Sequence, residues 1–247
     1  MIRGIYTSGL GMTRETKRLD IVSNNLANAS TTAFKSDGAV CGTFKKALND
    51  VMVAGSRIDI ANYTPDVVNT YTKFTQGSLY STGNATDLDI SNDDNAFFTV
   101  EDDNGNRFYT RDGAFVIDKD NFLVTAQGYK VMGTDGYISL DDKEFGVSNL
   151  GQVTNGNEVI GNLLITSFEN PESLSKIGNN LIEASNESVT RDFEGEIQQS
   201  YLEMSNVNTV SEMVNMIAIS RAYEANQKVL QSQDEMLGKA VSDVGRV

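Results

Sequence analysis

Hydrophobic residues recur every seven positions at both ends of this chain. Near the C-terminus Met216, Tyr223, Leu230, Leu237 and Val244 keep that interval, with Ala222, Val229 and Met236 one residue earlier. Near the N-terminus Ile5, Met12, Leu19 and Leu26 keep it too. A step of seven holds side chains on one side of a helix, and sustained over several turns it is a coiled-coil seam. The pattern predicts a helix over 2–27, ended by the polar cluster Asn28, Ser30, Thr31 and Thr32, whose side chains compete for backbone hydrogen bonds. A second helix is predicted from Thr209, where Thr209 and Glu212 fit a capping box and Asn208 is the competing cap. Its roughly 35 residues span ~50 Å at ~1.5 Å per residue, more than the width of a small domain. Its stripe therefore needs the other terminus or another chain to cover it.

Between the helices the period changes to two. Asp87-Leu88-Asp89-Ile90 alternates, and Ala96–Val100, Arg107–Thr110, Ala114–Ile117, Phe122–Thr125 and Val131–Gly133 are short apolar or β-branched runs. Turn signals separate them: Asn104-Gly105, Asp112-Gly113, Asp118 to Asn121, Gln127-Gly128 and Asp135-Gly136. Such spacing predicts antiparallel strands. Gly161 to Phe168 reads as a further strand ended by Pro171, residues 183–196 as a loop or edge, and Ile197 to Leu202 as a returning strand. Phe44 to Val53 reads as a short helix. The expected fold class is α+β: long N- and C-terminal helices forming a coiled-coil-like pair, with an inserted antiparallel β domain. The expected divisions are 1–34 plus 206–247 as a helical assembly domain, 35–84 plus 190–205 as connector, and 85–189 as the β domain.

Charge sharpens this division. The net charge is −14, which argues against nucleic acid or an anionic membrane as partner. Residues 1–50 hold seven Lys/Arg against four Asp/Glu, whereas residues 85–145 hold five against fourteen. The acidic middle is the part expected to remain in water. Cys41 is the only cysteine, so no intramolecular disulfide forms. No apolar run reaches the ~18–20 residues of a membrane span. Arg3, Arg14, Glu15, Lys17 and Arg18 interrupt any signal-like stretch, so export is expected without a cleaved signal peptide.

Catalytic chemistry finds little support. The chain has no histidine, which removes the usual general base and the common zinc sets. Gly9-Leu10-Gly11 begins like a dinucleotide fingerprint, but Arg14 stands where the third glycine belongs and no strand precedes it. Asp102-x-Asn104-x-Asn106 begins like a calcium loop, but Arg107 replaces its glycine and Gly113 its bidentate glutamate. Solvated turns are the simpler reading. No cofactor, metal or catalytic residue is expected, and the chain is read as no enzyme.

The run from Arg18-Leu19-Asp20-Ile21-Val22-Ser23-Asn24-Asn25-Leu26 to Ala33-Phe34-Lys35 resembles the signature of bacterial flagellar rod and hook proteins. Tyr201-Leu202-Glu203, Ser205-Asn206-Val207-Asn208, Glu212-Met213-Val214 and Arg221-Ala222-Tyr223-Glu224 are similar to the other end of that family. In the middle, Tyr109-Thr110-Arg111-Asp112-Gly113, Leu123-Val124-Thr125 and Gly128-Tyr129 resemble its β domain. Phe74-Thr75-Gln76-Gly77-Ser78-Leu79 and Asp234-Glu235-Met236-Leu237 are most like its distal-rod branch. Two departures fall in loops: Ser91 to Ala96 is slightly longer than the family's usual turn, and Asn121 occupies a usual glycine position.

The resemblance implies a structural subunit of the flagellar basal body, outside the cytoplasmic membrane. It would be exported by the flagellar export apparatus and would polymerise into a hollow, torque-transmitting rod. Implied partners are further copies of itself and neighbouring rod and hook subunits, with no nucleic acid and no membrane insertion. Ile5, Met12, Leu19, Leu26, Met216, Tyr223, Leu230, Leu237 and Val244 are the candidate assembly residues. Asn24, Asn25 and Asn28 are candidates for satisfying the backbone where the first helix ends. Competing readings are a proximal rod or hook subunit, a secreted cell-wall-active enzyme, and an adhesin with a coiled-coil stalk.

Overall fold

A computed structural model describes residues 2–41, 68–140, 145–155, 158–185 and 187–244. Its class is α+β. Helix α1 runs Ile2–Ala27 and helix α2 runs Thr209–Val244, with all described strands between them. The short helix read at Phe44 to Val53 lies outside the described residues, as does much of the stretch after it. Among the described residues, one compact unit takes both helices, β1 (Asp37–Cys41) and β2 (Val68–Thr72) up to Tyr71, the two strands pairing with each other. The other takes those of 28–36 and 72–207.

Helix α2 begins as the chemistry of its first turn requires, with a correction to the capping box. Asn208 is the cap: its Oδ1 accepts the Ser211 N–H at 3.0 Å, and its carbonyl accepts the Glu212 N–H at 3.0 Å. Thr209 is already helical.

In the second unit β3 (Leu79–Ser81) lies before the predicted strands, and β4 (Leu88–Ser91), β5 (Ala96–Glu101), β6 (Arg107–Thr110), β7 (Phe115–Ile117), β8 (Leu123–Thr125) and β9 (Lys130–Gly133) follow the predicted alternation. Then come β10 (Gly136–Tyr137), β11 (Gly146–Val147), β12 (Gln152–Asn155), β13 (Glu158–Asn162) and β14 (Ile165–Phe168). The strand read from Gly161 to Phe168 is thus two strands, parted where Leu163 turns into the core and its N–H bonds to Gly151. β15 (Leu174–Gly178), β16 (Leu181–Ala184), β17 (Thr190–Arg191), β18 (Glu196–Gln199) and β19 (Tyr201–Glu203) complete the order. The expected returning strand is β18 and β19, broken at Ser200, whose φ is 67°.

The main sheet has the order β15-β16-β6-β5-β9-β8-β7, with β14 also beside β5 and every pair antiparallel. β5 is covered on both faces, which is why Ala96, Phe97, Phe98, Thr99 and Val100 are all buried. Phe98 and Val100 join Leu88, Ile90, Phe115, Leu123, Val131 and Ile197 in the larger core. Phe97 instead meets Phe74, Phe168 and Ile182. Burying one such side chain contributes roughly 2–3 kcal/mol. Phe74 thereby ties the segment before β3 to the sheet.

Candidate functional site

Two places fit the expectation of an assembling subunit: the helix pair, and the buried junction through which the chain enters and leaves the β unit. On α1, a Cβ placed on Gly4 would stand 2.9 Å from Gln233 Nε2, and one on Gly11 would stand 2.9 Å from Asn226 Nδ2. Seven residues up α1 therefore match seven residues down α2, so the helices lie antiparallel. Among the described α1 side chains Ser8, Glu15 and Val22 are buried, again seven apart, and Asn25 beyond them is buried more deeply still. On α2 Ile219 is buried, and Glu212, Met216, Ala222, Asn226, Leu230, Gln233 and Leu237 are half-buried. Facing positions are thus small or polar at several levels. Glu15 takes Arg18 Nη1 at 2.8 Å inside this seam.

The expected stripe takes the shoulders of the pair. Ile5, Met12, Leu19 and Leu26 are half-buried, like Met216, Leu230 and Leu237, and Tyr223 is exposed. Val244 is the last residue of α2, and its side chain lies outside the description. The three asparagines differ. Asn25 is buried, and its amide both gives to Asp37 O at 2.8 Å and accepts the Asp37 N–H at 2.9 Å, pinning β1 to the end of α1. Asn28 receives the Thr31 N–H on its carbonyl and the Thr31 hydroxyl on its side chain. Asn24 is exposed. The outer side of α2 carries a second apolar group: Val210, Met213, Val214 and Ile217 are each more than half exposed. Their i, i+3, i+4, i+7 spacing puts them on one face, opposite Glu212, Met216 and Ile219.

The junction is built from residues of four of the segments that carried the family resemblance, though none was a candidate on sequence grounds. Glu203, at the end of β19, is buried. Its Oε1 accepts Lys35 Nζ at 2.6 Å and the Gly77 N–H at 2.6 Å, and its Oε2 accepts Arg111 Nε at 2.9 Å. Arg111 Nη1 donates to the carbonyls of Asp93 and Ala96, and its Nη2 to that of Ile90. Burial works to raise the Glu203 pKa, but Lys35 and Arg111 overcome it and hold the carboxyl below its ordinary range. Burial pushes the Lys35 pKa down, partly offset by Glu203. Asp89 lies in the same region with its pKa raised to about 6, first by burial and then by Glu203. Spacing along the sequence gave no signal for this cluster, because its members come together only when four distant segments meet.

The acidic loops make a different arrangement. Asp102 accepts the N–H groups of Asn104 and Asn106 at 2.8 and 2.9 Å, and their side-chain amides as well. These bonds, those from Asn106 foremost, lower its pKa to about 2. Its acceptors are used by its own turn. Among the described residues no group of three or more Cys, Asp or Glu side chains gathers in a metal-binding arrangement, and no helix is long and apolar enough to cross a membrane.

Three family models match the chain in succession. Residues 5–35 match the flagella basal body rod protein, residues 93–155 the D1 domain of the flagellar hook proteins FlgE/F/G, and residues 198–243 the C-terminal region of the FlgEFG basal body rod proteins. The flagellar basal-body rod protein FlgG of Borreliella burgdorferi is 35% identical over 97% of this chain and 98% of its own length. FlgG of Agrobacterium fabrum is 33% identical over 95% and 97%. The flagellar hook-basal body complex protein FlhO of Bacillus subtilis is 30% identical over the full length of both. The chain belongs to the bacterial flagellar basal-body rod and hook family. Within that family it is a structural subunit of the distal-rod type.

Proposed function

We propose that this subunit polymerises through α1 and α2, paired as a coiled coil, into the hollow shaft that transmits torque. The supporting observation is the apolar surface left on the helices beyond their mutual seam. Val210, Met213, Val214 and Ile217 on the outer face of α2, and Val229 and Met236 further along it, are exposed. Polar side chains such as Asn226 and Gln233 occupy the seam itself. An arrangement of this kind fixes register within a subunit and leaves apolar contacts for neighbours. One interface repeated without closure produces a helical polymer.

In this reading the stripe residues Ile5, Met12, Leu19, Leu26, Met216, Tyr223, Leu230, Leu237 and Val244 complete their burial against adjacent copies. The acidic β domain remains in contact with water, and neighbouring rod and hook subunits dock at the two ends of the stack. The subunit leaves the cytoplasm through the flagellar export apparatus without a cleaved signal, and it has no catalytic role. Removal of residues 1–30 or 208–247 should leave a soluble protein unable to polymerise, measured by sedimentation; filaments from either truncation would overturn the reading. Electron microscopy of basal bodies from a strain lacking the chain should show rods halted before their distal part.

A further inference from the structure

The segment leaving α1 and the segment entering α2 are bonded directly to one another. The Ala33 N–H donates to Glu203 O at 2.8 Å, the Asn206 N–H to Phe34 O at 3.3 Å, and the Ser36 N–H to Asn206 Oδ1 at 2.7 Å. A third segment lies across both. Lys73 N–H donates to Ser36 O at 2.9 Å, and Asn206 Nδ2 donates to the carbonyls of Lys73 and Thr75. These backbone bonds are few, and side chains add to the hold. Asn180 Nδ2 on Thr32 O, and Lys176 with its ammonium on Lys35 O and 4.7 Å from the Phe34 ring, also hold the first segment.

Two cations divide the work on Glu203. Arg111 comes from the end of β6 and is braced by three β-unit carbonyls, so its bond fixes the C-terminal segment to the β unit. Lys35 alone carries charge from the N-terminal segment into the same carboxylate, while also donating to Thr75 O at 3.0 Å. We infer that Lys35 is a positioning residue, a latch that makes docking of the two helix-bearing segments mutually dependent. Without it Glu203 still has Arg111 and the Gly77 N–H, so the β unit keeps its fold while the two segments loosen together. The inference deepens the assembly reading, because paired helices need their roots held side by side.

The test is amide hydrogen exchange on the full chain. In Lys35→Met the N–H groups of Ala33, Ser36 and Asn206 should each exchange at least tenfold faster, while Val100 and Leu123 in the β core keep wild-type rates. Faster exchange confined to Ala33 and Ser36 would mean that the segments dock independently, which overturns the latch. A uniform rise that includes Val100 and Leu123, or no change anywhere, would overturn it as well. Lys35→Arg keeps the cation and should retain most of the protection at Asn206; opening equal to that of Lys35→Met would remove charge from the mechanism. Sedimentation of the same variants reads polymerisation separately, so a fault in the assembly reading is distinguishable from a fault in the latch.

Discussion

Asp89 is a buried carboxylate whose Oδ1 meets no hydrogen-bond partner among the described residues, and whose Oδ2 accepts Gln76 Nε2 at 3.4 Å. Around it stand Glu203, Arg111 and Lys35, with Gln198 opposite it across the β4–β18 pair. Its pKa of about 6, against an ordinary 3.8, means that the folded chain holds this proton more tightly than the unfolded chain does. The group therefore costs stability above about pH 6, and the cost is relieved as pH falls from there toward 3.8. Glu203 has the opposite sign: its pKa is lowered by folding, so its contribution is present above the ordinary value of 4.5 and is lost as pH falls through the lower folded value. Stability should thus peak in mild acid. Asp89→Asn should raise unfolding free energy at pH 7 by about 1 kcal/mol after allowance for solvent screening, and flatten the profile between about pH 6 and 4. Urea titrations at several pH values measure it, and parallel wild-type and variant profiles would count against it. Glycines in the same region act through space rather than charge. A Cβ on Gly113 would stand 1.6 Å from Leu88 O, and one on Gly77 would stand 2.0 Å from Met204 O. Gly113→Ala or Gly77→Ala should each cost about 2–4 kcal/mol, read as a fall in the urea midpoint. Gly11→Ala meets only the movable Asn226 amide and should change stability by less than about 1 kcal/mol.

At the scale of elements, the helices were legible because period and punctuation agreed. The seven-residue step and the cluster at Asn28 marked α1, and the Thr209–Glu212 capping box, with Asn208 as the competing cap, and an unbroken run marked α2. Which side of each helix faces the other was less legible. Apolarity marked Ile5, Met12, Leu19 and Leu26, yet the levels in closest contact involve Gly4 and Gly11 against Gln233 and Asn226. Small residues allow close approach but leave no hydropathy signal. Most strands of the β unit were readable from turn residues, and Asn121 takes the left-handed φ of 65° expected of a glycine substitute. Strand β15 and the β11–β12–β13 ribbon were not read, since their runs are short and carry little apolar alternation. The junction was invisible for a different reason. Lys35, Gly77, Arg111 and Glu203 are separated by long stretches of chain, so only the folded path joins them. One prediction belongs to α2. Ile217 is 55% exposed on the face away from α1, so Ile217→Asp should leave helicity by circular dichroism within experimental error and cut polymer yield at least tenfold. Wild-type polymerisation by that variant would take this face out of the interface.

For the whole molecule, charge and apolar surface act against each other during assembly. Each copy carries a net charge of −14, concentrated in the middle of the chain. Bringing copies together therefore works against like-charge repulsion, while the helix contacts proposed to offset it are apolar and insensitive to screening. The Debye length falls from about 30 Å at 0.01 M salt to about 8 Å at 0.15 M, so repulsion between exposed carboxylates is largely removed at the higher value. Added salt leaves the buried Lys35–Glu203–Arg111 cluster almost untouched, because those groups are shielded from solvent. Polymerisation of the purified chain should accordingly speed up several-fold from 0.01 to 0.15 M sodium chloride, with no matching change in the unfolding midpoint. Light scattering follows the first quantity and urea titration the second. If salt instead slowed polymerisation, attraction between opposite charges would be the main force between copies. The exposed apolar face of α2 would then be secondary to pairs involving the basic side chains near the N-terminus.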